Sequence, residues 1–265
     1  MLQSIEIMKT HILEIILEND PSIYLFGSVV LDDFKLGWSD IDILCLTKTP
    51  LSENQTERLV YLRQELLEKY PANPYFRSFE GGFLTLSDFL NKTPSRVVYW
   101  GTSGQRITDQ YYFDVFSTME LMDSGRLIYG ENILEQLTYP SQEEVQAAVL
   151  QHYHTIRRYA LITGRSLYSA GWLLDIARCL YTLQTGKIIA KTVAGEWALE
   201  QSYIPDKQIL KKAVEIRKNP IQYKNDESIQ EWLERLGPYI QQYADVLEEQ
   251  LNHYHILQPQ EERRL

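Results

Sequence analysis

The stretch that decides the fold is YLFGSVVLDDFKLGWSDIDILCLT, residues 24–47. Two apolar segments of β type flank a loop that opens on Gly27-Ser28 and closes on Ser39-Asp40-Ile41-Asp42. Side chains alternate faces along a strand, so Asp40 and Asp42 point one way while Ile41 and Ile43 point the other way, into a core. Two neighbouring carboxylates repel, and a carboxylate among apolar neighbours is costly unless something pairs with it. A divalent cation relieves both problems. Mg²⁺ takes one or two carboxylates and fills its remaining positions with water and substrate phosphate, so Asp40 and Asp42 are the expected metal ligands.

Gly27 and Ser28 suit the phosphate half of such a site. Glycine lets backbone approach a phosphate closely, and a serine hydroxyl with nearby N–H groups can bind it. A third carboxylate, Glu80, opens the strand candidate FEGGFLTLSDF, residues 79–89. If the three strands are neighbours, Glu80 shares the cavity, either as a metal ligand or as the base for an attacking hydroxyl. Asp-x-Asp or Gly-Ser alone is common on ordinary strands and turns; the combination carries the functional reading.

Bulk properties bound the rest. At 265 residues the chain reaches the size at which single cores split in two. With 44% hydrophobic and 23% charged residues it can bury a real core. A net charge of -10 without a basic stripe disfavours a nucleic-acid partner and suits a cationic ligand. The first twenty residues show helical periodicity, not the pattern of a signal peptide, and no apolar run reaches membrane-span length. Cys45 and Cys179 both sit in apolar patterns and read as buried hydrophobes. A cytoplasmic monomer is expected.

Along the chain, residues 3–19 read as an amphipathic helix and residues 59–66 mark a second. Residues 91–115, with Pro94, Gly101 and Gly104, read as a loop or lid; 115–123 read as a helix followed by a turn at 123–125. Ser141-x-x-Glu144 is a capping box, and beyond it almost everything is helical, at 173–183, 190–200, 206–218 and 227–252. The organisation expected is α+β: residues 1–140 with a mixed sheet and helices, residues 141–265 a helical bundle. His-Tyr-His occurs at 152–154 and 253–255, but residues two apart on a helix do not face each other, so no zinc site is expected. Catalytic Ser or Cys/His arrangements and a Walker A sequence are absent.

Gly27-Ser28 followed by Ser39-Asp40-Ile41-Asp42 resembles the signature of the nucleotidyltransferase superfamily, with its polymerase-β-like fold. The chain as a whole looks like the aminoglycoside 3''- and 9-O-adenylyltransferases, which modify streptomycin and spectinomycin. That second resemblance rests on ARCLYTLQTGKIIAKTVAGEWALEQ, residues 177–201. It implies two Mg²⁺ ions on Asp40 and Asp42, Glu80 as catalytic base, and ATP as co-substrate held by Arg178 and Lys191 in a helical domain that binds substrate and ATP. Arg178 lies off the apolar stripe of its helix, free to reach a phosphate; its alternative is an ion pair with Asp175 at i−3. Lys191 is otherwise a solvated helix start. The family's drug contacts lack counterparts, since residues 164–171 read GRSLYSAG where acidic residues are expected. The expected reaction moves AMP from ATP to a hydroxyl of a small cationic acceptor, spectinomycin ahead of streptomycin. The alternatives are another metabolite or RNA as acceptor, and a nucleotide-binding regulator or antitoxin-like module.

Overall fold

The computed structural model describes residues 1–102 and 104–254. The chain divides into two compact units, Met1–Tyr139 and Pro140–Leu265.

The first unit is a mixed six-stranded sheet with helices on both faces. Its strands are β1 (Ser22–Phe26), β2 (Ile41–Thr47), β3 (Phe79–Thr85), β4 (Val97–Gly101), β5 (Gly104–Thr108) and β6 (Arg126–Tyr129), in the spatial order β5-β4-β3-β2-β1-β6. Only β2 and β3 run parallel; the other neighbours are antiparallel. The helices are α1 (Leu2–Ile16), α2 (Glu53–Lys69), α3 (Leu86–Asn91) and α4 (Val115–Ser124).

Period-2 alternation sorts the strands onto two cores. Ile23, Leu25, Ile41, Ile43, Cys45, Phe79, Phe83, Val98 and Trp100 face α1 and α2, meeting Ile5, Met8, Ile12, Leu59 and Leu62. Tyr24, Phe26, Leu44, Leu46, Leu84 and Val97 face the other way and pack with Leu121 and Ile133. Each large side chain buried this way contributes roughly 1.5–3 kcal/mol. Asp42 and Glu80 have the parity of the second face.

Two sequence expectations need correction. Residues 91–115 are not loop throughout, because β4 and β5 form an antiparallel hairpin within them, while 92–96 and 109–114 are irregular. Val97, Val98 and Trp100 are buried, but the glycines and the solvated edge strand β5 hide the pattern. The four-residue edge strand β6 follows α4 directly, where the sequence pattern shows only a turn. No helix among the described residues is long and apolar enough to cross a membrane.

The second unit is helical: α5 (Gln142–Tyr159), α6 (Tyr168–Thr185), α7 (Lys191–Glu200), α8 (Lys207–Lys218), α9 (Pro220–Tyr223), α10 (Glu227–Glu234) and α11 (Gly237–His253). The capping box at Ser141 and Glu144 is formed in both directions. Helix α6 is central, touching α5, α7, α8 and α11. Its stripe of Leu173, Ile176, Ala177, Leu180 and Leu183 is buried, and Gly186 closes it in the left-handed conformation. The first His-Tyr-His motif serves packing: the Tyr153 hydroxyl donates to Glu248 at 2.5 Å and so ties α5 to α11. His255 of the second motif lies outside the described residues.

Candidate active site

The carboxylates gather at the start of β2 and β3. In the parallel register Asp42 stands directly opposite Glu80, and across the antiparallel β1 it stands opposite Phe26. Asp40 immediately precedes β2. All three are partly buried.

Gly27 follows β1 and begins a tight turn over Gly27–Val29. Its φ is +66°, a left-handed conformation that glycine adopts without strain. A Cβ placed there would lie 2.2 Å from Asp42 Oδ2. The carboxylate therefore occupies the space that any other residue would fill. The Ser28 hydroxyl donates to the Asp40 carbonyl at 3.2 Å, joining the turn to the strand that carries the carboxylates. In this state its proton is given to backbone.

The donor set fits a hard divalent cation, since it offers only oxygens and sets Asp42 against the cradle of Gly27. Among the described residues no group of three or more His, Cys, Asp or Glu side chains stands ready to cage a metal by itself. A cation here would need oxygens from substrate and water.

Residues the motif reading did not find complete the site. The Tyr99 hydroxyl, on β4, donates to Glu80 Oε1 at 2.8 Å. Burial, then the hydrogen bond and charge of Glu80, push the Tyr99 phenol up to about 12. Burial also pushes the Tyr111 phenol up, with the charges of Tyr99, Asp42, Asp114 and Glu80 adding to it. The buried guanidinium of Arg63 donates to the Phe79 carbonyl at 2.7 Å and the Gly101 carbonyl at 2.9 Å, pinning the start of β3 to the end of β4. Burial lowers its pKa, and the charges of Glu80 and Asp40 oppose that. These contacts join elements far apart in sequence, so no local spacing announces them.

In the second unit, Arg178 and Lys191 meet at one carboxylate. Lys191 Nζ lies 2.7 Å from Asp175 Oδ1, and an Arg178 amino nitrogen lies 3.8 Å from it. Arg178 does lie off the apolar stripe, but it is engaged by Asp175 and not free as expected. Lys191, first residue of α7, is also more than a solvated helix start. Burial would raise the Asp175 carboxyl, yet the charges of Lys191 and Arg178 outweigh it and hold the carboxyl below its ordinary value.

Comparison with known proteins agrees with this layout. The nucleotidyltransferase domain family matches residues 8–84, and the C-terminal domain of aminoglycoside adenylyltransferases matches residues 130–250. A spectinomycin 9-adenylyltransferase of Enterococcus faecalis is 25% identical over 202 residues, covering 72% of this chain and 77% of that protein. A crystal structure of an Enterococcus spectinomycin adenyltransferase with ATP and spectinomycin has a TM-score of 0.63 and 17% identity, covering 95% of this chain and 99% of that one. At that identity it speaks for the fold alone. Joining a nucleotidyltransferase domain to an aminoglycoside adenylyltransferase C-terminal domain in that order, the chain is similar to the aminoglycoside adenylyltransferases and is an enzyme of the nucleotidyltransferase class.

Proposed function

We propose that this enzyme transfers AMP from ATP to a hydroxyl of a small cationic acceptor, with spectinomycin ranked first and streptomycin second. The observation that carries the reading is the register of Asp42 with Glu80 beside Gly27. It supports one compact carboxylate site for metal, triphosphate and attacking hydroxyl. The names of the Enterococcus relatives support the choice of acceptor. So does the net charge of -10, which favours a cation over an anion.

Asp40 and Asp42 would hold Mg²⁺, which when bound neutralises charge on the triphosphate and its leaving group. Gly27 gives the Asp42 carboxylate its room. Ser28 fixes Asp40 through its carbonyl, and would turn its hydroxyl toward a phosphate only by giving up that bond. Glu80 takes the proton of the acceptor hydroxyl. The acceptor oxygen then bonds to the α-phosphorus, and the bond to pyrophosphate breaks with its electron pair leaving on pyrophosphate. Arg178 and Lys191 are the proposed ligands of the nucleotide phosphates. Asp175 offsets one of their two charges, so the group keeps a positive surplus that suits an anion.

The test incubates purified protein with ATP, Mg²⁺ and each drug, and measures pyrophosphate release. Turnover that depends on drug supports the reading. Binding of ATP with no turnover on either drug removes the proposed acceptors.

A further inference from the structure

Strand β4 brings an unassigned phenol to the proposed base. In the antiparallel register Tyr99 stands opposite Gly82 on β3 and opposite Arg106 on β5. Its ring leans along the sheet toward Glu80 because glycines clear the way. A Cβ on Gly101 would come within 2.6 Å of the Tyr99 ring, and one on Gly82 within 2.6 Å of the neighbouring Tyr111 ring. On the β5 side the Arg106 guanidinium lies 4.8 Å from the Tyr99 ring centre, and the Tyr111 ring centre is 6.0 Å away. A ring confined on several sides has little rotamer freedom, so its hydroxyl is a fixed donor.

We propose that Tyr99 is the positioning residue of Glu80: its hydroxyl holds Oε1 and leaves Oε2 as the oxygen that accepts the proton of the acceptor hydroxyl. The inference rests on the reading of Glu80 as base. A carboxylate free to turn offers either oxygen at many angles, whereas proton transfer needs one oxygen within about 3 Å of the hydroxyl. Tyr99 removes that freedom. The phenol stays protonated across the working range because its pKa is pushed up to about 12, so it donates to Glu80 and does not compete with it for the proton. Arg106 and Gly101 act one step further out, by holding the ring over its glycine.

The experiment is a double-mutant cycle of Tyr99→Phe, Glu80→Gln and the pair. Phenylalanine keeps the ring and removes only the hydroxyl. With ATP, Mg²⁺ and spectinomycin, Tyr99→Phe is expected to lower kcat about 10-fold, the size of one hydrogen bond to a charged group, with KM for ATP unchanged. In the Glu80→Gln background the same change is expected to do little more, because the group being positioned is no longer a base. An equal fall in both backgrounds, or a raised KM for ATP at unchanged kcat, would overturn the inference. A second cycle, with Glu80→Ala in place of Glu80→Gln so that no acceptor for the Tyr99 hydroxyl remains, is read in urea unfolding, which needs no turnover. Non-additive stability supports the Tyr99–Glu80 bond, and strict additivity overturns it. If wild type shows no turnover, the acceptor reading fails and the stability cycle alone decides. If Glu80→Gln keeps near-normal kcat, the reading of Glu80 as base fails and this inference fails with it.

Discussion

Gly27→Ala tests the geometry of the site with a single methyl group. Two separate effects follow from the structure. The first is backbone strain: at φ +66° an alanine pays about 1–2 kcal/mol that glycine does not. That corresponds to a loss of a few degrees in Tm for a chain of this size. The second is collision. The new Cβ would stand 2.2 Å from Asp42 Oδ2 where ordinary contact begins at 3.4 Å, so the carboxylate must retreat by about 1.2 Å. A displacement near 1 Å at a reacting centre costs roughly 10²-fold in rate. Gly186 separates the two effects. Its φ is +68°, nearly that of Gly27, yet a Cβ there meets nothing within 4 Å. Gly186→Ala should therefore show the strain without the collision. The assay is steady-state pyrophosphate release beside a thermal melt, for both variants. We expect similar Tm losses, with kcat falling about 10²-fold for Gly27→Ala only. Equal activities would refute the idea that Gly27 exists to seat the Asp42 carboxylate.

Asp42→Asn should abolish transfer and leave the metal-free Tm unchanged or raised, because a like-charge contact is removed; near-normal turnover in Mg²⁺ would show the pair to be misassigned. Glu80→Gln should bind ATP normally and lose about 10²–10⁴ in kcat, and calorimetry showing lost ATP affinity instead would make it a metal ligand. Asp175→Asn should lower stability, because both cations lose the carboxylate that holds them. Since the folded Asp175 carboxyl is held below its ordinary value, its stabilisation is present above about pH 4 and is lost as pH falls through the folded value. Urea midpoints of wild type and Asp175→Asn should accordingly converge on acidification; a gap that stays constant with pH would rule out the charge-based account.

The parts of this fold that can be read from sequence are those governed by neighbours in the chain. Strand β2 is legible because six of its seven residues are buried and only Asp42 breaks the apolar run. The stripe of α6 and the capping box of α5 are legible for the same local reason. Strand β4 was lost among flanking Pro94, Gly101 and Gly104, and β5 is an edge strand whose exposed Arg106 and Ile107 give no alternation. Tyr99 was missed with it. Its contact with Glu80 spans 19 positions and exists only once β3 and β4 pair. Arg63 reads as one more charge on the surface of α2, but it is buried against two carbonyls that later strands supply. The pairing of Arg178 with Asp175 was visible as an i−3 spacing, while the 2.7 Å contact of Lys191 with the same carboxylate depends on how α7 packs on α6.

The measurement that bears most directly on the whole account is mass spectrometry of spectinomycin after incubation with ATP, Mg²⁺ and either wild-type protein or Asp42→Asn. The account predicts one AMP adduct per drug molecule with wild type and none with the variant. An adduct formed equally by both proteins would contradict the carboxylate site, and no adduct with wild type on spectinomycin or streptomycin would contradict the proposed acceptors.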